Sequence, residues 1–297
     1  MAQHPRNPPA QPTGPRPART GGASPPPQSH VPAAVRYDAP GDEPLAVPAA
    51  LKLDQPFRFD RGLAKRLRMR EVNQTEAFTL RDGPGAWFRA TLREYDNKGG
   101  LAVAYERMGR SPEPTIDITL ACAILSRQRM HLVVQKATEL GVRRIAPLLT
   151  DHSVPADAVA HEQAHAWAGH AARAARQCRR SSLPHLLPPA ALDAFLASPL
   201  LAAAELCLFL DDRTDPKPVP AAVPPPGRIV LFVGPEGGFS DAERHRLAAR
   251  ARPWVLGGRV LRAETAVIVG LTAVHMTWGD FRPNLRATPD RSRENGS

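Results

Sequence analysis

Cysteine is scarce in this 297-residue chain, and Cys122, Cys178 and Cys207 stand far apart with no C-x-x-C spacing. That argues against a disulfide framework and suits a reducing cytoplasm. Cys122 and Cys207 fall in apolar, strand-like runs and read as small core residues. Long apolar runs are missing too, so no segment has the length of a membrane span. No continuous hydrophobic stretch follows the basic residues of the N-terminus, as a secretory signal would require. The expectation is a soluble, cytoplasmic protein with no membrane partner. Neither G-x-G-x-x-G nor a Walker A sequence occurs, which removes support for a Rossmann dinucleotide site and for a P-loop.

What the chain does have is positive charge, +10 in all. Residues 1–50 carry four Arg against Asp38, Asp42 and Glu43, and residues 281–297 carry four Arg against Asp290 and Glu294. About +7 therefore remains on residues 51–280. A basic folded surface suits a polyanion such as RNA, although a solvated basic face is also common. Residues 1–50 hold thirteen prolines among Gly, Ser, Ala and Gln and cannot bury enough apolar surface to offset their ordering entropy. They read as a disordered extension, and residues 281–297 as a short polar tail.

Between these ends the pattern divides in two. Residues 51–113 show short β-type runs, Glu76–Arg81, Ala86–Arg93 and Leu101–Glu106, separated by Asp82-Gly83-Pro84-Gly85 and Asn97-Lys98-Gly99-Gly100. Short strands with tight turns suggest a small barrel or curled sheet. The preceding stretch, 56–70, includes Phe57, Phe59, Arg58 and Arg68, with six basic residues against Asp60; it is either an RNA contact or core. Residues 114–280 alternate strands and helices. Strands are expected at Ile116–Ile124, Arg144–Leu149, Leu206–Leu210, Ile229–Val233 and Trp254–Leu256. Helices are expected at Arg129–Leu140 with Gly141 as C-cap, at Ala158–Cys178, Asp241–Ala251 and Thr265–Thr277. This alternation implies an α/β domain with a mostly parallel sheet.

Four constellations could carry chemistry. Gly234-Pro235-Glu236-Gly237-Gly238-Phe239-Ser240 follows a buried strand, and Ser240 with Glu243 forms a capping box for the next helix. Glycines at a strand's C-terminal end let backbone approach a ligand, though an ordinary strand-to-helix turn has the same look. Leu256-Gly257-Gly258-Arg259-Val260-Leu261-Arg262-Ala263-Glu264 also runs from strand through glycines into helix, so the two loops could wall one pocket. His161-Glu162-Gln163-Ala164-His165 matches H-E-x-x-H on a predicted helix, the spacing of a zinc hydrolase. The third ligand falls on Ala171, with His170 one residue off, so no metal is expected. Arg173, Arg176 and Arg180 recur at helical spacing and could face a phosphate backbone or solvent.

Together, QKATELGVRRIAPLLT (135–150), RQCRRSSLP (176–184), GPEGGFSDAE (234–243) and LGGRVLRAETA (256–266) resemble the RsmE family, the small-subunit ribosomal RNA uridine-N3 methyltransferases of the SPOUT superfamily. The resemblance implies a PUA-like β-barrel that binds RNA, then a parallel α/β domain whose C-terminal segment threads a deep trefoil knot. It implies a homodimer acting on small-subunit ribosomal RNA or the assembled 30S subunit. It implies S-adenosylmethionine held by Leu210, by Val233, Gly234, Pro235, Glu236, Gly237 and Gly238, and by Leu256, Gly257, Val260 and Leu261. Three positions depart from the family: His131 stands where an acidic residue is usual, Arg176 where Glu is usual, and His152 where an arginine is usual.

Methylating uracil N3 requires loss of its weakly acidic proton, an unstacked base and stabilisation of the ring anion. Arg262 is the expected contributor, since it stays charged and can donate to the oxygens flanking N3. Glu264 is the other catalytic candidate, although at a predicted helix start the macrodipole favours its ionised form and equally supports a structural role. A side chain at Gly237 would stand where the ligand should lie. The rival readings are a related methyltransferase acting at another RNA site and a non-catalytic RNA-binding protein, which would have no need of both glycine loops.

Overall fold

Alternation of apolar side chains builds the first sheet. In the computed structural model, which describes residues 43–162, 164–214 and 225–281, it comprises β1 (Pro56–Asp60), β2 (Ala77–Arg81), β3 (Trp87–Tyr95) and β4 (Gly99–Met108). The strands pair antiparallel in the order β1-β4-β3-β2. Phe78 and Leu80, then Phe88, Ala90 and Leu92, then Ala102 and Ala104 are buried in one core with Phe59. Helix α1 (Arg61–Met69) covers it with Leu63, Ala64 and Leu67. Asp60 begins that helix, its carboxylate accepting from the Leu63 N–H at 2.7 Å. The 56–70 stretch is thus strand and helix, with Phe59 in the core and Phe57 packed at its margin.

The packed chain begins before residue 51. Leu45 and Val47 are buried in the same core, and Ala46 bridges to Arg81. The Leu45 N–H donates to Ser181 Oγ at 2.8 Å. Assigning residues 43–50 to a disordered extension is therefore corrected: two apolar side chains and paired backbone groups anchor a proline-flanked stretch. Residues 1–42 and 282–297, with the expectations placed on them, lie outside the described residues.

The second sheet is parallel throughout. It contains β5 (Asp117–Ala123), β6 (Arg144–Leu149), β7 (His185–Leu186), β8 (Ala190–Ala191), β9 (Leu206–Leu210), β10 (Arg228–Val233) and β11 (Arg252–Trp254). Their order is β11-β9-β10-β5-β6-β7, with β8 also on β6. Parallel strands need crossovers, and helices supply them on both faces. Ile229, Leu231 and Val233 of β10 join Ile118, Leu120 and Cys122 of β5 in one core. That core is closed by α2 (Arg127–Glu139), α3 (Trp167–Gln177) and α7 (Ala263–Thr277). Val230 and Phe232 face the opposite core, under α4 (Leu192–Leu196), α5 (Pro199–Ala202) and α6 (Asp241–Ala248). The α/β class with a parallel sheet is as expected. Among the described residues no helix is long and apolar enough to cross a membrane.

The helix expected over Ala158–Cys178 is shorter. Residues 156–158 and 164–166 are single 3-10 turns, and the α-helix starts at Trp167. The early part is recruited elsewhere: Glu162 accepts from the backbone N–H of Arg127 at the start of α2, and the His161 carbonyl accepts from the Arg127 guanidinium. Ser126 makes no side-chain cap there, so Glu162 takes that role from a distance in sequence.

Candidate active site

All the chemistry-bearing loops gather at the C-terminal edge of the parallel sheet, where open α/β sheets bind ligands. A cavity of about 630 Å³ opens there. Its wall includes Leu210 from the end of β9, Val233, Gly234, Pro235, Glu236, Gly237 and Gly238 after β10, and Leu256, Gly257, Val260 and Leu261 after β11. The two glycine loops read from the sequence thus face one space.

The loops need glycine for different reasons. Gly257 and Gly258 have φ of +78° and +81°, with nothing within 4 Å of where a Cβ would stand. Backbone conformation, not crowding, selects them. In the first loop the left-handed residue is Gly238, at φ +71°. Gly237 is not left-handed; a Cβ there would lie 3.1 Å from the Cβ and 3.2 Å from the ring of His152. The expected conflict at Gly237 is therefore with the protein's own imidazole.

The first loop is braced from both sides. Ser240 caps α6, with Glu243 returning the bond to the Ser240 N–H at 2.9 Å. The turn at Thr150–Ser153 grips the same corner: Ser240 Oγ donates to Asp151 at 2.5 Å, the Asp151 N–H donates to Glu243 at 2.9 Å, and His152 Nδ1 lies 3.0 Å from the Gly238 carbonyl. Glu236 is ion-paired with Arg129 of α2. Across the cavity, Asp211 is held by Arg244 at 2.7 Å. Burial pushes the Asp211 carboxyl up, but hydrogen bonds from Arg244, Thr214 and the Arg213 N–H outweigh it and hold the group below the ordinary carboxylate range. Burial pushes the Cys122 thiol up to about 12, so it stays protonated and inert.

The 211–214 wall and Arg244 went unread in the sequence, because Asp211-Asp212-Arg213-Thr214 is not a motif. Its position directly after a buried strand was the available signal.

The two catalytic candidates flank this cavity without lining it. Arg262 is the N-cap of α7, between wall residues Leu261 and Ala263, and is exposed. Glu264 occupies the first turn of α7, 9% exposed, and its Oε2 has no hydrogen-bond partner among the described residues.

The proposed RNA-binding arginines are not one stripe. Arg180 turns inward, donating to the carbonyls of Thr138 at 2.9 Å and Val142 at 3.0 Å and pairing with Glu113. Reading it as an RNA contact is corrected: a buried, fully partnered guanidinium has nothing left for a phosphate. Arg176 pairs with Glu76 at 3.0 Å, and Arg173 approaches Glu71 at 3.8 Å. Arg58 is largely exposed beside Asp96, and Arg68 lies 4.3 Å over the Tyr95 ring. Arg58, Arg68 and Arg173 remain as surface cations. His161 and His165 do not share a helical face, and among the described residues no three metal-ligating side chains converge.

Known proteins match this arrangement. The RNA methyltransferase domain profile matches residues 111–275. The chain is 30% identical to Ribosomal RNA small subunit methyltransferase E of Mycobacterium bovis, over 69% of this chain and 80% of that protein. It is 28% identical to the same-named protein of Synechocystis sp., over 70% of this chain and 68% of that one. The solved structure of Ribosomal RNA small subunit methyltransferase E from Neisseria gonorrhoeae, bound to S-adenosyl methionine, superposes with a TM-score of 0.58 at 28% identity. That alignment covers 80% of this chain and 99% of that one.

Proposed function

From the premise that this chain belongs to the RNA methyltransferase family, we propose that it methylates small-subunit ribosomal RNA with S-adenosylmethionine, at N3 of one uridine. The observation that carries the reading is the single cavity walled by both glycine loops. Its volume lies within the range of small-molecule sites. Its walls offer left-handed glycine backbone with open space beside it, as a nucleoside held by main-chain groups requires.

When bound, the cofactor supplies an electrophilic methyl group on a positive sulfur. The chain's own residues do the rest. Leu210, Val233, Leu256 and Leu261 supply apolar walls, and the 257–261 backbone supplies donors and acceptors. Arg262 donates to the uracil oxygens, bonds that strengthen as negative charge builds on the ring. Glu264 holds the start of α7 beside them.

In this reading residues 51–113, with the packed stretch 43–50, form a PUA-like RNA-binding module presenting Arg58 and Arg68, and residues 114–280 form a SPOUT domain closed by a trefoil knot. The segment that would thread it, from β11 through residues 256–261 into α7, shares one cavity wall with the loop after β10. Exposed Val260, Val269, Met276 and Phe281 on and beside α7 suit the covered face of a homodimer working in the cytoplasm.

Titration calorimetry with S-adenosylmethionine, followed by single-turnover methylation of small ribosomal subunits, tests the assignment. Arg262→Ala should lower turnover far more than cofactor affinity, with Glu264→Gln milder. A wild-type protein that binds no S-adenosylmethionine would contradict it.

A further inference from the structure

The site as described lacks a group to take the N3 proton. Arg262 carries a guanidinium, which can only donate. Glu264 is buried in the first turn of α7. His152, which the glycine motifs did not single out, stands at the loop itself. Its ring packs against Gly237, and its Nδ1 is 3.0 Å from the carbonyl oxygen of Gly238. Both glycines line the cavity, and His152 flanks it directly behind them, as Arg262 flanks it beside Leu261.

That contact fixes the tautomer. A carbonyl oxygen can only accept, so Nδ1 must carry the hydrogen and donate it. In the neutral ring the lone pair is then on Nε2. The ring is exposed, and among the described residues Nε2 has no partner. A base oriented through its other nitrogen by a fixed acceptor is the arrangement general-base catalysis uses. The support beneath it is rigid. Ser153 closes the turn through Thr150, its Oγ accepting from the Thr150 N–H at 2.9 Å, while Asp151 is tied to Ser240 and Glu243.

Resting on the methyltransferase reading above, we infer that His152 is the general base, its Nε2 taking the proton from uracil N3. As N3 forms its bond to the methyl carbon, the N3–H proton passes to Nε2. The carbon–sulfur bond breaks with its electrons left on sulfur, and the imidazolium afterwards returns its proton to water. Arg262 and His152 thus divide the work: one holds charge on the ring oxygens, the other removes the proton.

Three measurements test it together. Nitrogen-15 NMR of the ring in the protein without RNA should show Nδ1 protonated and Nε2 bare; a protonated Nε2 with a bare Nδ1 would overturn the inference. His152→Ala should keep S-adenosylmethionine affinity within a few-fold by calorimetry and lose about a hundredfold or more in single-turnover rate. Added imidazole should restore part of that rate. His152→Gln, which can still donate to the Gly238 carbonyl, should remain as slow as His152→Ala. Full turnover in His152→Gln, or no imidazole rescue, would reduce His152 to a prop for the loop. Intact cofactor binding alongside such a result would leave the methyltransferase reading standing.

Discussion

Arg180 and Glu113 meet at 3.2 Å with side chains 3% and 9% exposed, at the junction of the two sheets. Glu113 also accepts from the N–H groups of Ser181 and Ser182, both at 2.8 Å. Burial alone would push the Glu113 carboxyl up, but the Arg180 guanidinium and these hydrogen bonds hold it below the ordinary carboxylate range. Removing either partner strands a buried charge, so Glu113→Ala or Arg180→Ala should cost about 3–5 kcal/mol in urea unfolding. The pair's contribution is present above the unfolded carboxylate value and is lost as pH falls through the lower folded one. Charge reversal at Arg180 should unfold the protein; a folded variant with weakened RNA binding would speak for a surface role.

A second acid response comes from the other side of α2. His131 stacks on His170 of α3, ring centroids 4.1 Å apart and planes inclined by 24°. Burial first, then neighbouring cations, hold both imidazoles below their ordinary value: Arg127 and Arg173 for His131, His131 and Arg173 for His170. The unfolded chain therefore binds these protons more readily. Their contribution is full above about pH 6.5 and is lost as pH falls through the lower folded values. The urea midpoint should drop on acidification, and the His131→Phe, His170→Phe double variant should flatten that drop while keeping ring contact. An equal drop in the variant would assign the response elsewhere.

The glycine loops separate conformational from steric need. Gly258→Ala meets open space but must hold φ +81°, so a melting experiment should read a loss of about 1 kcal/mol. Gly237→Val must push the loop backbone away from the His152 ring, shifting a cavity wall, and should weaken S-adenosylmethionine binding by tenfold or more in calorimetry. Undiminished affinity in a folded Gly237→Val protein would remove that loop from the site.

Glu162 caps helix α2 from outside it, accepting from the Arg127 N–H. Glu162→Ala should cost about 1 kcal/mol by loss of a cap, and methyl transfer should survive chelator unchanged. One tightly held zinc per chain, with activity lost on its removal, would reverse this account.

The sequence is most legible where local periodicity and tertiary packing agree. Arg144–Leu149 and Leu206–Leu210 form strands over the residues expected, and Ser240 with Glu243 makes the expected capping box. Both glycine loops stand out because strand, glycine and helix follow in immediate succession. Leu45 and Val47 do not stand out, since two apolar residues among prolines have no period and acquire meaning only against a sheet folded later in the chain. Arg173, Arg176 and Arg180 have helical spacing, yet spacing gives no sign of the acidic partners that draw Arg180 inward. His152 stands out in the sequence only as a departure from the family's usual arginine, because its contact is with a carbonyl 86 residues away.

The most direct measurement is nucleoside mass spectrometry of small-subunit ribosomal RNA after incubation with the purified protein and methyl-labelled S-adenosylmethionine. The account predicts label in one nucleoside, N3-methyluridine, at a single position, and no label with Arg262→Ala over the same interval. Label on a different base, or at a carbon or ribose oxygen, would contradict it.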